Sequence, residues 1–271
     1  MKTRIPDAVI LHVGTDCFVT QQRLTVLNAN PHGRILCLGL GFMACIKVDE
    51  LRSILAHEFA HFTGSDLLYS KIVLRAYMGL ETASVSLSQL SDRTNGLARV
   101  ITAVPFFAIV LLMRVNLLFL RSIDASIHRA REIRADTLAT RICGTRVYTD
   151  MLKKIHAYGP LFQLSIMRIA GEIQRSRKPD ESCLRVWRKN LKSFESSAQE
   201  ILSDSMVETT NKWADHPALR ERIQRLPEVP DQYHNAQPAL SLFRELAAYE
   251  KLAGEYLAND YRILQREGIH R

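Results

Sequence analysis

A chain of 271 residues can bury a substantial core, and 47% apolar with 24% charged residues is a globular balance that excludes a disordered polymer. The formal charge of +8 invites a polyanionic partner, yet Lys and Arg are scattered, with no sustained basic run interleaved with aromatics. That distribution argues against nucleic acid and fits an anionic membrane surface better.

The opening stretch MKTRIPDAVILHVGTD is interrupted by Pro6, Asp7 and His12, so it does not read as a secretory signal, and the chain is expected not to be secreted. Short β-branched or apolar runs follow at Val9–Val13, Cys17–Thr20, Leu24–Asn28 and Ile35–Leu40, separated by Gly14, by 28–33 and by Gly39/Gly41. The last of these predicts either a sheet edge, along which an extended substrate could pair, or an interior strand. From Val48 the period becomes helical. Asp49 is the expected N-cap; Leu51, Ile54, Leu55, Phe59 and Phe62 recur at helical spacing, and Gly64 should stop the helix.

Helices are then expected over 66–90, 97–142, 149–175 (bent near Gly159-Pro160), 182–211, 217–226 and 238–266. Turns should fall at Gly144, at Lys178-Pro179-Asp180 and over 227–238. A small N-terminal sheet followed by many helices is α+β, mostly α. Residues 1–227 should form one domain with an apolar helical hairpin at 66–125, and 228–271 a C-terminal helical extension. The five cysteines, Cys17, Cys37, Cys45, Cys143 and Cys183, are odd in number and lack C-x-x-C spacing. They argue against a disulfide framework and a thiolate zinc site, and suit thiols in a reducing compartment.

The chemistry concentrates in His57-Glu58-Phe59-Ala60-His61. Two histidines four apart on a helix share one face, so both rings can reach one ion, while Glu58 sits where it can touch a water on that ion. Zinc held by three protein groups keeps a position for that water. A third ligand six residues after His61 would need a histidine at Leu67, which cannot bind zinc, and Asp66 is out of register. The better candidate is downstream, where Glu132 and Asp136 are also four apart: Glu132 can complete the set, and Asp136 can accept a hydrogen bond from a ligand imidazole. Alone, that pair reads equally as a solvated helix face, and His128 could compete as a ligand.

Together, HEFAH at 57–61, EIRAD at 132–136 and HPALRERIQRL at 216–226 resemble the gluzincin-type zinc endopeptidases that include the HtpX heat-shock protease and the CAAX prenyl proteases. The resemblance covers roughly residues 17–226. It implies a zincin-like fold with an HExxH active-site helix and a long helical hairpin, acting on protein or peptide substrates. It further implies one Zn2+ per chain bound by His57, His61 and Glu132, with Glu58 as general base and Asp136 supporting the ligands. His216 and Arg222 match the third motif and are expected near the substrate carbonyl or holding the site. His216 could instead cap the helix over Pro217, and Arg222 could be a structural ion-pair partner.

Val100–Leu120 is the most apolar stretch, but Arg114, Asn116 and Pro105 make its insertion marginal. His61 and Glu132 must meet one ion, so the chain between them can cross a bilayer only an even number of times. The expected arrangement is a hairpin lying in one leaflet, covering the core or packing on a second copy, with Arg114 reaching the surface. Many members of the family carry spans both before the motif helix and in this interval; no span before the motif helix is expected here. The chain is thus expected at a membrane surface, active site towards the cytoplasm, with a homo-oligomer among the expected assemblies. A catalytically silent zinc-binding scaffold, or a membrane-associated interaction protein on the same fold, is the competing class.

Overall fold

The computed structural model describes residues 5–20, 32–61, 75, 78–79, 81–82, 85–86, 89, 97–175, 182–214, 216–232, 234–252 and 254–256. The strand expected at Leu24–Asn28, the stop at Gly64 and the turn at 178–180 lie outside them.

Three strands form one sheet: β1 (Ala8–His12), β2 (Cys17–Thr20) and β3 (Ile35–Gly39), in the order β1-β3-β2. β3 runs parallel to β1 and antiparallel to β2, with Leu38 opposite both Leu11 and Cys17. Every residue of β3 is buried. A continuous apolar run has no polar face to turn to water, so it belongs in the middle of a sheet. Of the two readings of this segment, the interior strand is therefore the one found; among the described residues, β1 and β2 form the edges. Gly39, the last residue of β3, has no room for a side chain, which would collide with the carbonyl oxygens of Gly14 and Asp16.

A single helical turn, α1 (Leu40–Met43), leads into α2 (Val48–Ala60). Asp49 lies inside the first turn of α2 rather than capping it. Its carboxylate accepts the Asn235 N–H, while Glu50 takes the N–H of Lys47 at 2.7 Å and so closes the helix start. Lys154 pairs with the same Glu50 oxygen at 2.7 Å. Leu51, Ile54 and His57 are buried at three-residue intervals, so the apolar stripe of α2 carries His57 inward.

The long helix α3 (Leu97–Cys143) ends at Gly144, whose φ of 101° suits a residue without a side chain. α4 (Thr145–Arg175) starts four residues before its expected position, because the Thr145 hydroxyl donates to Pro227 O at 2.6 Å and anchors the first turn. It runs through Pro160 as one helix. The helix expected over 182–211 is divided into α5 (Cys183–Lys189), a 3-10 turn (Leu191–Phe194) and α6 (Glu195–Val207). α7 (Leu219–Gln224) follows. The expected helix at 238–266 opens instead as a 3-10 turn (Ala239–Leu242). The cause is a long-range contact: Ala239 N–H donates to Ile46 O and Val48 N–H to Gln237 O, each at 2.9 Å, across the entry to α2.

The chain divides into two compact units: one of residues 1–60, 135–209 and 218–271, the other of 61–134 and 210–217. The first holds the main core. Trp187 is its largest fully buried side chain; it meets Phe162 edge-on at 5.1 Å, stacks on Phe194 at 5.2 Å and donates to Gly41 O at 3.1 Å. In the second, the apolar stretch of α3 lies open from Phe107 onward: Phe107, Leu112 and Phe119 are all more than 60% exposed, and Arg114 is exposed among them. Among the described residues, no helix is long and apolar enough to cross a membrane.

Candidate metal centre

α2 sets His57 and His61 one turn apart, His57 buried and His61 half-buried. α3 does the same for Glu132 and Asp136, which are 7% and 1% exposed. A solvated helix face is therefore not what this pair forms.

His57, His61 and Glu132 each offer one ligand atom, and these atoms lie within 4.8 Å of one another. The spacing can be tested against the ion. Two donors about 2.1 Å from a tetrahedral zinc stand about 3.4 Å apart; His61 Nε2 and Glu132 Oε1 are 3.3 Å apart. Two nitrogens and one carboxylate oxygen are also a donor set suited to zinc. The residues fit the ion.

Behind His57 lies a buried polar group. His57 Nδ1 is 3.0 Å from Asp136 Oδ1 and 2.8 Å from the Tyr148 hydroxyl, which itself donates to Asp136 Oδ1 at 2.6 Å. Arg222 clamps the carboxylate from the other side, Nε to Oδ2 at 2.8 Å and Nη2 to Oδ1 at 2.6 Å. Burial alone would raise the pKa of Asp136. The Arg222 hydrogen bond and then the His57 contact outweigh it and hold the group at about 2. A charged Asp136 keeps the hydrogen of His57 on Nδ1, leaving Nε2 as the electron-pair donor.

A model of peptidase family M48 matches residues 17–229, more than half of the chain. The chain belongs to that family. The M48 match spans all three motifs and bears out the resemblance drawn from them. Two curated relatives carry the name "Protease HtpX homolog". One, from Gemmatimonas aurantiaca, is 28% identical over 118 residues, covering 42% of this chain and 40% of its own. The other, from Persephonella marina, is 26% identical over 205 residues, covering 74% of this chain and 62% of its own. The chain thus spans less than two thirds of the length of either relative. No solved structure matches.

Within this M48 chain the other expected residues fall as follows. Glu58 is half-buried on the turn of α2 between the two histidines. His216 places Nδ1 3.1 Å from Glu132 Oε2, with its side chain 69% exposed. The strand of chain carrying it is tied to α3 by Arg129, which donates to the carbonyls of Lys212 and Ala214 at 2.9 and 3.0 Å. Arg222 occupies the buried pair with Asp136, so of its two expected roles the ion-pair partner is the one its contacts describe. His128 lies 3.6 Å from Asp124 on an exposed part of α3 and is not among the grouped ligand atoms. Tyr148 escaped the sequence reading. It stands on a different helix from the motif residues it touches, and a lone tyrosine twelve positions after Asp136 carries no local signature.

Proposed function

We propose that this M48 chain is a zinc-dependent endopeptidase, with one ion per chain held by His57, His61 and Glu132. The observation that carries the reading is the 3.3 Å approach of His61 Nε2 to Glu132 Oε1, within the group of donors that also contains His57. A zinc ion bound there supplies Lewis acidity towards a peptide carbonyl and towards water at neutral pH. Glu58 takes the proton of the attacking water and later delivers it to the leaving amine, with no covalent intermediate. Asp136 and Arg222 keep His57 aligned. His216, beside the second oxygen of Glu132, steadies that ligand and offers a donor to the developing oxyanion.

Substrate enters as an extended protein or peptide strand. Among the described residues, with β3 enclosed, the sheet edge on the side of α2 is β2, which packs on α2 and whose Cys17 senses the charge of Glu58. The peptidase domain is taken as 1–227, with 228–271 as a C-terminal extension. The exposed apolar residues of α3, beside a net charge of +8, favour a membrane surface as the working site, with the active site facing the cytoplasm. Self-association through the same face is the competing outcome.

The test is cleavage of casein or a peptide library by the zinc-loaded chain, with a chelator and with Glu58→Gln. Chelator-sensitive cleavage, lost in Glu58→Gln while zinc is retained, supports the reading. Stoichiometric zinc with no cleavage of any peptide bond contradicts it and favours a scaffold.

A further inference from the structure

We infer that Tyr148 is a positioning residue for the metal centre: its hydroxyl holds the His57 imidazole in the tautomer and orientation that aim Nε2 at the ion. The inference rests on the zinc-site reading above and goes beyond it by naming a residue outside the three motifs. Tyr148 is fully buried on the first turn of α4, where its N–H bonds the carbonyl of Gly144 at 3.2 Å. Its ring lies nearly parallel to that of His57, with an angle of 27° and centroids 6.2 Å apart.

The proton arrangement follows from counting donors. Asp136 Oδ1 is approached by the Tyr148 hydroxyl at 2.6 Å, by Arg222 Nη2 at 2.6 Å and by His57 Nδ1 at 3.0 Å. The two shorter contacts use the lone pairs of that oxygen, and a phenol has one hydrogen to give, which goes to Asp136. The lone pairs of the phenol oxygen then face His57 Nδ1 at 2.8 Å, a shorter contact than the imidazole has with Asp136 itself. The order is therefore His57 Nδ1–H to Tyr148 Oη, and Tyr148 Oη–H to Asp136 Oδ1. Each donor of this buried group has an acceptor, and the charge of Asp136 reaches His57 largely through the phenol. The hydroxyl fixes the rotation of the imidazole.

The experiment measures zinc affinity of the full chain by competition with a chromophoric chelator, for wild type, Tyr148→Phe and Thr140→Val. The Thr140 hydroxyl is also fully buried and donates to the Asp136 carbonyl at 2.8 Å, but it touches no proposed ligand. Thr140→Val therefore reports what loss of a buried hydroxyl does through stability alone. Tyr148→Phe is expected to weaken zinc at least tenfold, the usual effect of removing the partner of a ligating histidine, and Thr140→Val by less than about twofold. Tight binding in Tyr148→Phe, or equal loss in both variants, overturns the inference and leaves the zinc site standing. A wild-type chain that takes up no zinc overturns the zinc site and this inference together.

Discussion

Arg222 meets Asp136 through two parallel hydrogen bonds, at 2.8 and 2.6 Å, and both side chains are almost completely buried. The arginine comes from the third sequence motif and the aspartate from the second, so the pair ties the C-terminal motif to the helix that carries Glu132. Planar, two-point pairing is what a guanidinium offers and an ammonium does not. Arg222→Lys should therefore behave as a loss rather than a conservative change. Arg222→Ala leaves a buried carboxylate uncompensated and should cost about 3–5 kcal/mol of stability. Denaturant unfolding of the two variants checks both statements.

The same pair sets an acid limit. The folded pKa of Asp136 is depressed to about 2 from an ordinary 3.8. Its stabilising contribution is thus complete above about pH 4 and lost as the pH falls through 2. Thermal unfolding of the chelator-treated chain between pH 2 and 6 should show this decline. In Arg222→Ala the decline should shrink, since the strongest cause of the depression is gone and burial then disfavours the charged carboxylate.

All five thiols should resist alkylation in the native chain. Burial pushes Cys17 and Cys45 up to about 12 and Cys143 to about 11, and raises Cys37 and Cys183 as well. Thiolate is the reacting form, so iodoacetamide at pH 7.5 should label none of them until denaturant is added. Intact-mass analysis with and without denaturant reads this directly.

Trp187 is the keystone of the main core. Trp187→Ala should cost about 3–5 kcal/mol, because the space between Phe162 and Phe194 cannot close fully. Trp187→Phe should cost less, the remaining loss reflecting the donor taken from Gly41 O. Melting temperatures of the two variants should rank in that order.

How legible this was in the sequence depended on range. His57 and His61, like Glu132 and Asp136, were readable because a helix converts a spacing of four into a shared face without reference to the rest of the fold. The helices α2 and α3 were readable for the same reason, almost to their ends. What failed was non-local. The place of β3 in the sheet depends on strands that pair across intervening chain, and its unbroken apolar run left edge and interior both open. Asp49 had the composition of an N-cap, but it lies inside the first turn, and it is Glu50 that reaches back to accept the N–H of Lys47 at the helix start. The division of 182–211 into α5, a 3-10 turn and α6 follows the seating of Trp187 and Phe194, which pattern alone does not show. Tyr148 was invisible because its partners come from two other helices.

The most direct measurement is elemental analysis of zinc in the purified chain beside Glu132→Ala. The account predicts one zinc per wild-type chain and little or none in the variant, because the carboxylate 3.3 Å from His61 Nε2 is a third of the protein's donor set. Full zinc occupancy in Glu132→Ala, or a metal-free wild type after zinc loading, would contradict it.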